Sequence, residues 1–234
     1  MFLIPVGIIN ETHEPTTFYG VERNPVENKI IPTTWREAGL MLTGTLPDVG
    51  LRYDLAYHGG LDEGANIRSG RQNAAEAEAE AKALTARIKY TAIPGLELAA
   101  SAQYQEDLDQ LEGGADDAVL IESHVIWQVG ALDLRALYAQ WDISGDPGLP
   151  YLDQQQGYYV EGSYKINPQW AVFLRHNALE YRKDGAGFTR DEQQQNLGVS
   201  YFAHENVVLK ADLQQQNTDM GDGDGFNLGL GYRF

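Results

Sequence analysis

The carboxyl-terminal stretch Phe226-Asn227-Leu228-Gly229-Leu230-Gly231-Tyr232-Arg233-Phe234 decides the fold. Phe226, Leu228, Leu230, Tyr232 and Phe234 share one face, while Asn227, Gly229, Gly231 and Arg233 share the other. Side chains of an extended strand point alternately to opposite faces, so this period of two places one face in an apolar medium and the other in a polar one. A half-buried strand of a soluble sandwich would read the same way, and a single segment does not choose.

Working outward, the pattern recurs. Val207, Leu209, Ala211 and Leu213 alternate with Val208, Lys210, Asp212 and Gln214, and Leu197, Val199, Tyr201 and Ala203 with Asn196, Gly198, Ser200 and Phe202. Tyr158, Val160, Gly162, Tyr164 and Ile166 oppose Tyr159, Glu161, Ser163 and Lys165. Leu96–Tyr104, Leu84–Tyr90 and Val49–Tyr57 repeat the rhythm. Two segments are less regular. Trp170, Val172 and Leu174 begin one face, but Leu179 and Tyr181 fall on the other, which predicts a bulge near Arg175–Asn177. In Ala131–Ile143 the alternation fades after Ala136.

The pattern predicts twelve strands, at 2–9, 37–46, 49–58, 83–92, 96–106, 117–128, 131–142, 156–166, 169–181, 193–203, 206–216 and 225–234. Tight turns at Pro47-Asp48, Ile93-Pro94-Gly95, Val129-Gly130, Asn167-Pro168 and His204-Glu205 alternate with long polar connections at 10–36, 59–82, 107–116, 143–155, 182–192 and 217–224. A transmembrane barrel has this rhythm because one rim carries tight turns and the other the external loops. Strands of about 10 residues also match the length that crosses a bilayer at a tilt. The expected fold is all-β, an antiparallel up-and-down transmembrane β-barrel formed by residues 1–234 as one domain.

Composition narrows the function. The 234 residues carry 34 Asp and Glu against 17 Lys and Arg, a formal charge of −17. That balance argues against nucleic acid, whose phosphates require a basic face. There is no cysteine, hence no disulfide, thiolate nucleophile or cysteine metal site. No run approaches the roughly 18 apolar residues of a membrane helix. The opening MFLIPVGIINE lacks the basic end and cleavage site of a secretory signal. The long connections hold 21 acidic and 9 basic residues, most of the surplus. The strand charges lie opposite the apolar rows, which a packed sandwich core would not tolerate unpaired. Aromatic residues near strand ends, Tyr53, Tyr57, Tyr90, Tyr104, Trp127, Trp141, Tyr164, Trp170, Tyr201, Tyr232 and Phe234, fit interfacial girdles.

The terminal Gly231-Tyr232-Arg233-Phe234 resembles the last strand of bacterial outer-membrane proteins, which implies that Tyr232 and Phe234 serve as the signal read by the barrel-assembly machinery. The amino-terminal part resembles the phosphate-selective porin O and P family. A strand like FLIPVGIINE (2–11) precedes an aromatic–Glu–Arg element in TFYGVERN (17–24) and a strand like REAGLMLTG (36–44). The resemblance implies a sixteen-stranded, trimeric Gram-negative porin, part of whose strands and whose signal peptide would lie upstream of this chain. It further implies partners in small hydrophilic solutes and ions, outer-membrane lipid and lipopolysaccharide, and function as a channel for ion and solute transport, with phosphate or other anions as the family's cargo. No cofactor and no metal are expected.

Porin selectivity comes from charges lining a constriction. In the resembling family an external loop folds inward, and segment 10–36, with Glu22, Arg23, Lys29 and Arg36, is the candidate for it; 59–82 is read as a long external loop. The candidate lumen charges are Arg52, Arg87, Lys89, Arg135, Lys165, Lys210 and Arg233, interleaved with Asp54, Glu97, Glu122, Asp133, Glu161 and Asp212. Seven against six is no anion ladder, because adjacent opposite charges flatten the field. The expected preference is mild for cations or near neutral.

Other motifs carry less. Asp219–Asp224 (DMGDGD) resembles part of a calcium loop without its terminal Glu. Ala74–Lys82 (AAEAEAEAK) has helical propensity but the wrong period. The five histidines show no metal spacing, and Ser123 and His124, adjacent on a strand, face opposite ways. No catalytic set is legible, and the chain is not expected to be an enzyme. The alternative reading is a barrel-anchored binding or adhesion protein acting through its acidic loops.

Overall fold

The computed structural model describes residues 1–62, 66–72, 74, 77, 80–108, 110, 117–144, 153–183, 188–219 and 221–233. Phe234, Met220 and the two glutamates Glu76 and Glu78 of the Ala74–Lys82 stretch lie outside them, as do parts of the connections at 107–116 and 143–155. A two-residue pairing of β1 (Phe2–Leu3) with β2 (Arg36–Glu37) precedes one antiparallel sheet. Its strands are β3 (Gly39–Leu46), β4 (Leu51–His58), β5 (Ala83–Tyr90), β6 (Leu96–Gln105), β7 (Ala118–Val129), β8 (Leu132–Ile143), β9 (Gln154–Lys165), β10 (Trp170–Lys183), β11 (Phe188–His204), β12 (Val207–Thr218) and β13 (Gly225–Tyr232). Each pairs with its sequence neighbours, from β3 at one edge to β13 at the other. This is the up-and-down wall of a membrane barrel, as the alternation and the loop rhythm require.

The tight turns all fall on one rim. At the β3–β4 turn Gly50 adopts φ 65°, and at β5–β6 Gly95 adopts φ 80°, left-handed conformations that glycine reaches without a Cβ clash. Opposite them lie the long connections, on what is here called the loop rim.

The apolar rows face outward. One row of register partners runs Leu134, Gly162, Leu174, Leu197, Leu213 and Phe226 across β8 to β13. Leu174, Leu197 and Leu213 are each more than half exposed, as a lipid-facing belt would be in the absence of lipid. Toward the loop rim the outward rows turn polar on β8–β11, through Gln140, Gln156, Glu180 and Asp191. The same row on β7–β4 remains apolar, through Ile121, Ala102, Ala86 and Leu55. Barrel strands tilt against the axis, so a row perpendicular to them climbs out of the membrane as it crosses the wall. Placing Arg at Leu197, flanked by Leu174 and Leu213, is expected to cost about 2–4 kcal/mol in a bilayer. Urea titration of the protein refolded in lipid vesicles would measure it, and the same change at exposed Gln193 is expected to be neutral.

Two expectations fail, for one reason. Residues 2–9 are not a crossing strand: only Phe2–Leu3 pairs, and only with β2. Ile4, Val6, Ile8 and Ile9 are buried irrespective of parity, because the chain turns inside the wall and packs there on all sides. No bulge occurs at Arg175–Asn177 either, since β10 pairs without interruption with both β9 and β11. The one register shift of β11 with β12 lies at Phe202–His204, beside the turn. Leu179 on β10, and Leu137, Trp141 and Ile143 on β8, face inward and are buried against the inserted chain. The apolar face therefore changes sides near the loop rim: outside there is water, and inside there is a dry core.

Candidate pore lining and its inserted segment

Residues 4–35 form a loop closed at its neck by Asn10. The Asn10 amide donates to the carbonyls of Ile4 (2.8 Å) and Trp35 (3.0 Å), and its Oδ1 accepts the Trp35 N–H. From this neck the segment lies along the inner wall, from His58 of β4, on which Trp35 packs, to Gly229 and Gly231 of β13, against which Val21 and Pro15 lie. Its upper part is apolar. Ile4, Val6, Ile8, Val26, Ile30, Ile31 and Trp35 cluster with Leu120, Leu137, Trp141, Tyr159 and Leu179 of the wall and with Leu61 and Ile67 of the following connection. Full burial of such side chains contributes about 1.5–3 kcal/mol each, which makes this the main hold on the segment. Trp141 Nε1 donates to the Ile30 carbonyl at 2.9 Å, so the indole is both packed and satisfied.

At the centre of this core sits Glu27, fully buried. Its Oε1 accepts the N–H groups of Ile8 (2.6 Å) and Ile9 (2.5 Å), and its Oε2 accepts the Asn24 amide (3.0 Å) and the Tyr159 hydroxyl (2.9 Å). Four donors on two oxygens suit the acceptor-only carboxylate. Burial pushes its pKa up, and the four hydrogen bonds oppose that shift. Gly7, at φ 78°, lets the chain pass: a Cβ there would stand 2.8 Å from Glu27 Oε1.

Below the core the contacts are ionic. Arg87 lies between Asp54 (2.7 Å) and Glu11 of the inserted segment (2.5 Å), and Arg52 joins Asp54 at 3.2 Å. Lys89 reaches Glu97 at 3.0 Å, and His124 bridges Glu97 (3.2 Å) and Glu122 (2.6 Å). Across the wall, Arg135 donates to the Thr17 carbonyl (2.9 Å) and lies over the Tyr19 ring, with Asp133 at 3.2 Å and Glu161 at 3.8 Å. Lys210 donates to the carbonyls of Phe18 and Gly20, while Asp212 accepts the Val21 N–H at 2.8 Å. Lys29 pairs with Glu192 at 2.5 Å, and Arg233 with Glu14 at 2.8 Å. Glu22 is exposed, with its carbonyl taken by Arg175 at 3.4 Å. Arg23 and Arg36 lie near connection 59–72, and Lys165 is exposed at the turn rim.

Arg87, Arg135 and Lys210 thus point inward, but into the inserted segment, which their ion pairs and hydrogen bonds hold to the wall. Arg175 and Glu192 were missed as wall charges: the first sat in the expected bulge, the second in a strand that begins five residues before its expected start. Glu27 and Tyr159 had no sequence signal, because nothing in the chain marks two residues so far apart as partners. In the Asp219–Asp224 stretch, Asp219 and Asp224 accept backbone N–H groups of Asp191 (2.8 Å) and Gln216 (3.0 Å), the work of a turn.

Glu11 gives a pH prediction. Burial pushes its carboxyl up, but the hydrogen bond and charge of Arg87, with Lys89 and Arg52, hold it below its ordinary value of 4.5. A depressed carboxyl stabilises the fold in full above its unfolded value and loses that contribution as pH falls through the folded one. Amide exchange around Glu11 is therefore expected to quicken as pH drops below 4.5, after correction for intrinsic rates, and E11Q should abolish that step.

The arrangement is that of an antiparallel β-barrel wall with a chain segment packed against its inner face. No family model matches the sequence. A protein of uncharacterized function from Aquifex aeolicus strain VF5 is 27% identical over 266 residues, covering 100% of this chain and 61% of that protein. The chain thus spans about three fifths of that relative's length. Among solved structures, a loop-deletion form of OmpT, an outer-membrane protein of Vibrio cholerae, superimposes with TM-score 0.68 at 11% identity, over 99% of this chain and 73% of that one. Salmonella typhi OmpF in complex with daunomycin gives 0.58 at 16% identity, over 79% and 57%. A porin refined at 1.8 Å gives 0.56 at 14% identity, over 84% and 61%. At these identities the likeness is one of fold.

Proposed function

We propose that this chain is part of an outer-membrane channel for passive diffusion of small hydrophilic solutes and ions, in which residues 4–35 narrow the passage and no chemistry is performed. The observation that carries the reading is one sheet with two opposite faces: a belt of leucine, valine and tyrosine outside, and charge and amide inside, on a wall shaped like those of porins. Closed barrels are the strand architecture that leaves no unpaired backbone in lipid. Barrel assembly through the terminal strand, contact with lipopolysaccharide and a trimeric state belong to the same proposal.

The finer question is selectivity. A phosphate channel, as the resemblance to the porin O and P family implies, needs basic groups free to meet the solute. Arg87, Arg135 and Lys210 are occupied by the inserted segment, and Lys89 is shared between Glu97 and Glu11. Opposite charges this close cancel at a distance, so the passage is read as near neutral or mildly cation-preferring. The test is planar-bilayer recording of the full-length protein in a KCl gradient. Discrete steps with a small reversal potential are expected; a strong anion preference would overturn the selectivity, and silence from a correctly folded protein would overturn the channel.

A further inference from the structure

Toward the loop rim, the inner face of β11–β13 is built from side-chain amides. Three glutamine triplets, at 154–156, 193–195 and 214–216, lie in β9, β11 and β12. Alternation turns Gln194, Gln214 and Gln216 inward. Gln194 stands in register with Gln216, and Gln214 with Gly225 of β13. One row nearer the turn rim, Asn227 pairs with Asp212, whose carboxylate accepts the Val21 N–H of the inserted segment at 2.8 Å.

The amides hold one another in place. Gln194 Nε2 donates to Gln216 Oε1 at 3.2 Å, and Gln214 Nε2 donates to the same oxygen at 3.0 Å. Gln216 Nε2 donates to Glu192 at 3.3 Å, and Asn227 Nδ2 to Asp212 at 2.9 Å. Gln194, Gln216 and Asn227 each spend one of their two N–H groups in these bonds. The side-chain oxygens of Gln214 and Asn227 accept no hydrogen bond from the described residues. Gln214, Gln216 and Asn227 are half-buried, so their free edges meet the passage. Beside them Gly225 presents no side chain, and a Cβ there would meet nothing within 4 Å.

This surface suits neither sign of ion. Glu192 is met by Lys29, and Asp212 by Asn227 and a backbone N–H, so little net charge is left to hold one. A cation would face the amide N–H groups, and an anion the two carboxylates. A hydroxyl is donor and acceptor at once and matches both edges of an amide. Neighbouring strands lie about 4.8 Å apart, which spaces the amides of β11, β12 and β13 on the scale of a sugar ring. The strand ladder and the bonds between amides fix them before a solute arrives, which lowers the entropy cost of binding.

We infer that Gln194, Gln214, Gln216 and Asn227, beside the gap at Gly225, form a binding site for a neutral polyhydroxylated solute, such as a short oligosaccharide, on the wall of the passage. The inference rests on the channel reading above and gives it a solute class. Gly225 supplies the room, and the amides supply paired donors and acceptors.

The test uses the full-length protein, with maltotriose as the probe and a polyethylene glycol of matched hydrodynamic size as the control for simple occlusion. In a planar bilayer in symmetric KCl, maltotriose is expected to lower the current saturably, and the glycol only in proportion to its concentration. Q214A combined with N227A should raise the half-blocking concentration about tenfold, the effect of losing two ordinary hydrogen bonds. G225V fills the gap while leaving every amide in place, and should raise it at least as much. Heat-modifiable gel mobility checks that both variants fold, and isothermal calorimetry in detergent reads the same binding without conductance. Block by maltotriose that matches the glycol, or saturable block unchanged in both variants, would overturn the site. A silent bilayer alongside saturable heat that both variants weaken would sink the channel reading and leave the site standing.

Discussion

Replacing residues 11–33 of the full-length protein with a short Gly-Ser linker is expected to raise single-channel conductance several-fold. The segment removed carries the lower ionic contacts and Val26, Ile30 and Ile31 of the dry core, while the neck at Asn10 and Trp35 stays. The outward belt is untouched, and it is the belt that holds the wall in lipid, so the variant should still refold and shift its gel mobility on heating. Its cost falls on the inner face, where Leu137, Trp141, Ile143 and Leu179 lose their cover and water meets apolar side chains. Reduced thermal stability together with larger steps is the expected pair of results. Larger steps follow because ions then cross a section from which about two dozen residues have gone. An unchanged conductance from a folded variant would mean that solute passes elsewhere, and the constriction reading would fall.

Glu27 to Ala is expected to be the most damaging single substitution in the segment. It leaves the N–H groups of Ile8 and Ile9, the Asn24 amide and the Tyr159 hydroxyl without their acceptor inside a core that excludes water. A buried unsatisfied donor costs about 1–3 kcal/mol, and after local relaxation the total should be about 3–5 kcal/mol. The loss is local in kind: the sheet keeps its ladder, and the segment loosens. Amide exchange at Ile8 and Ile9 should rise by orders of magnitude, and open-channel current should become noisy as the segment moves in the passage. E27Q keeps the shape and one or two of the four hydrogen bonds, and should fall between. Tyr159 to Phe removes one donor and its partner's bond, an effect of about 1 kcal/mol. If Glu27 to Ala left exchange unchanged, the carboxylate would be a passenger in a segment held by its apolar contacts alone.

Eleven of the twelve expected strands lie in the sheet within a few residues of their expected ends, and the five tight turns all close hairpins. They were legible because a half-exposed strand writes its environment every second residue: Leu197, Val199 and Tyr201 meet lipid whatever the rest of the chain does. The misread strand and the misread bulge share one cause. In FLIPVGIINE and in Trp170–Tyr181, apolar residues report only that water is excluded, and cannot report what excludes it. Leu179 is apolar because Val26, Ile30 and Tyr159 are gathered near it, and that neighbourhood is made by a segment about 150 residues away in the chain.

The same limit governs the site. Charges opposite an apolar row read as inward-facing, since they have nowhere else to go. Their partners were not legible. Whether Arg87 serves a solute or Glu11, and whether Lys210 faces water or the carbonyls of Phe18 and Gly20, depends on where residues 4–35 lie.

By itself, then, the sequence determined the strands, their order, the lipid-facing side and the rim that carries the loops, because each follows from local periodicity and turn chemistry. Only the tertiary structure decided that residues 4–35 turn inward and that Glu27 is their buried anchor. Those are facts of long-range packing, in which a side chain's role is set by neighbours that sequence spacing does not bring to it.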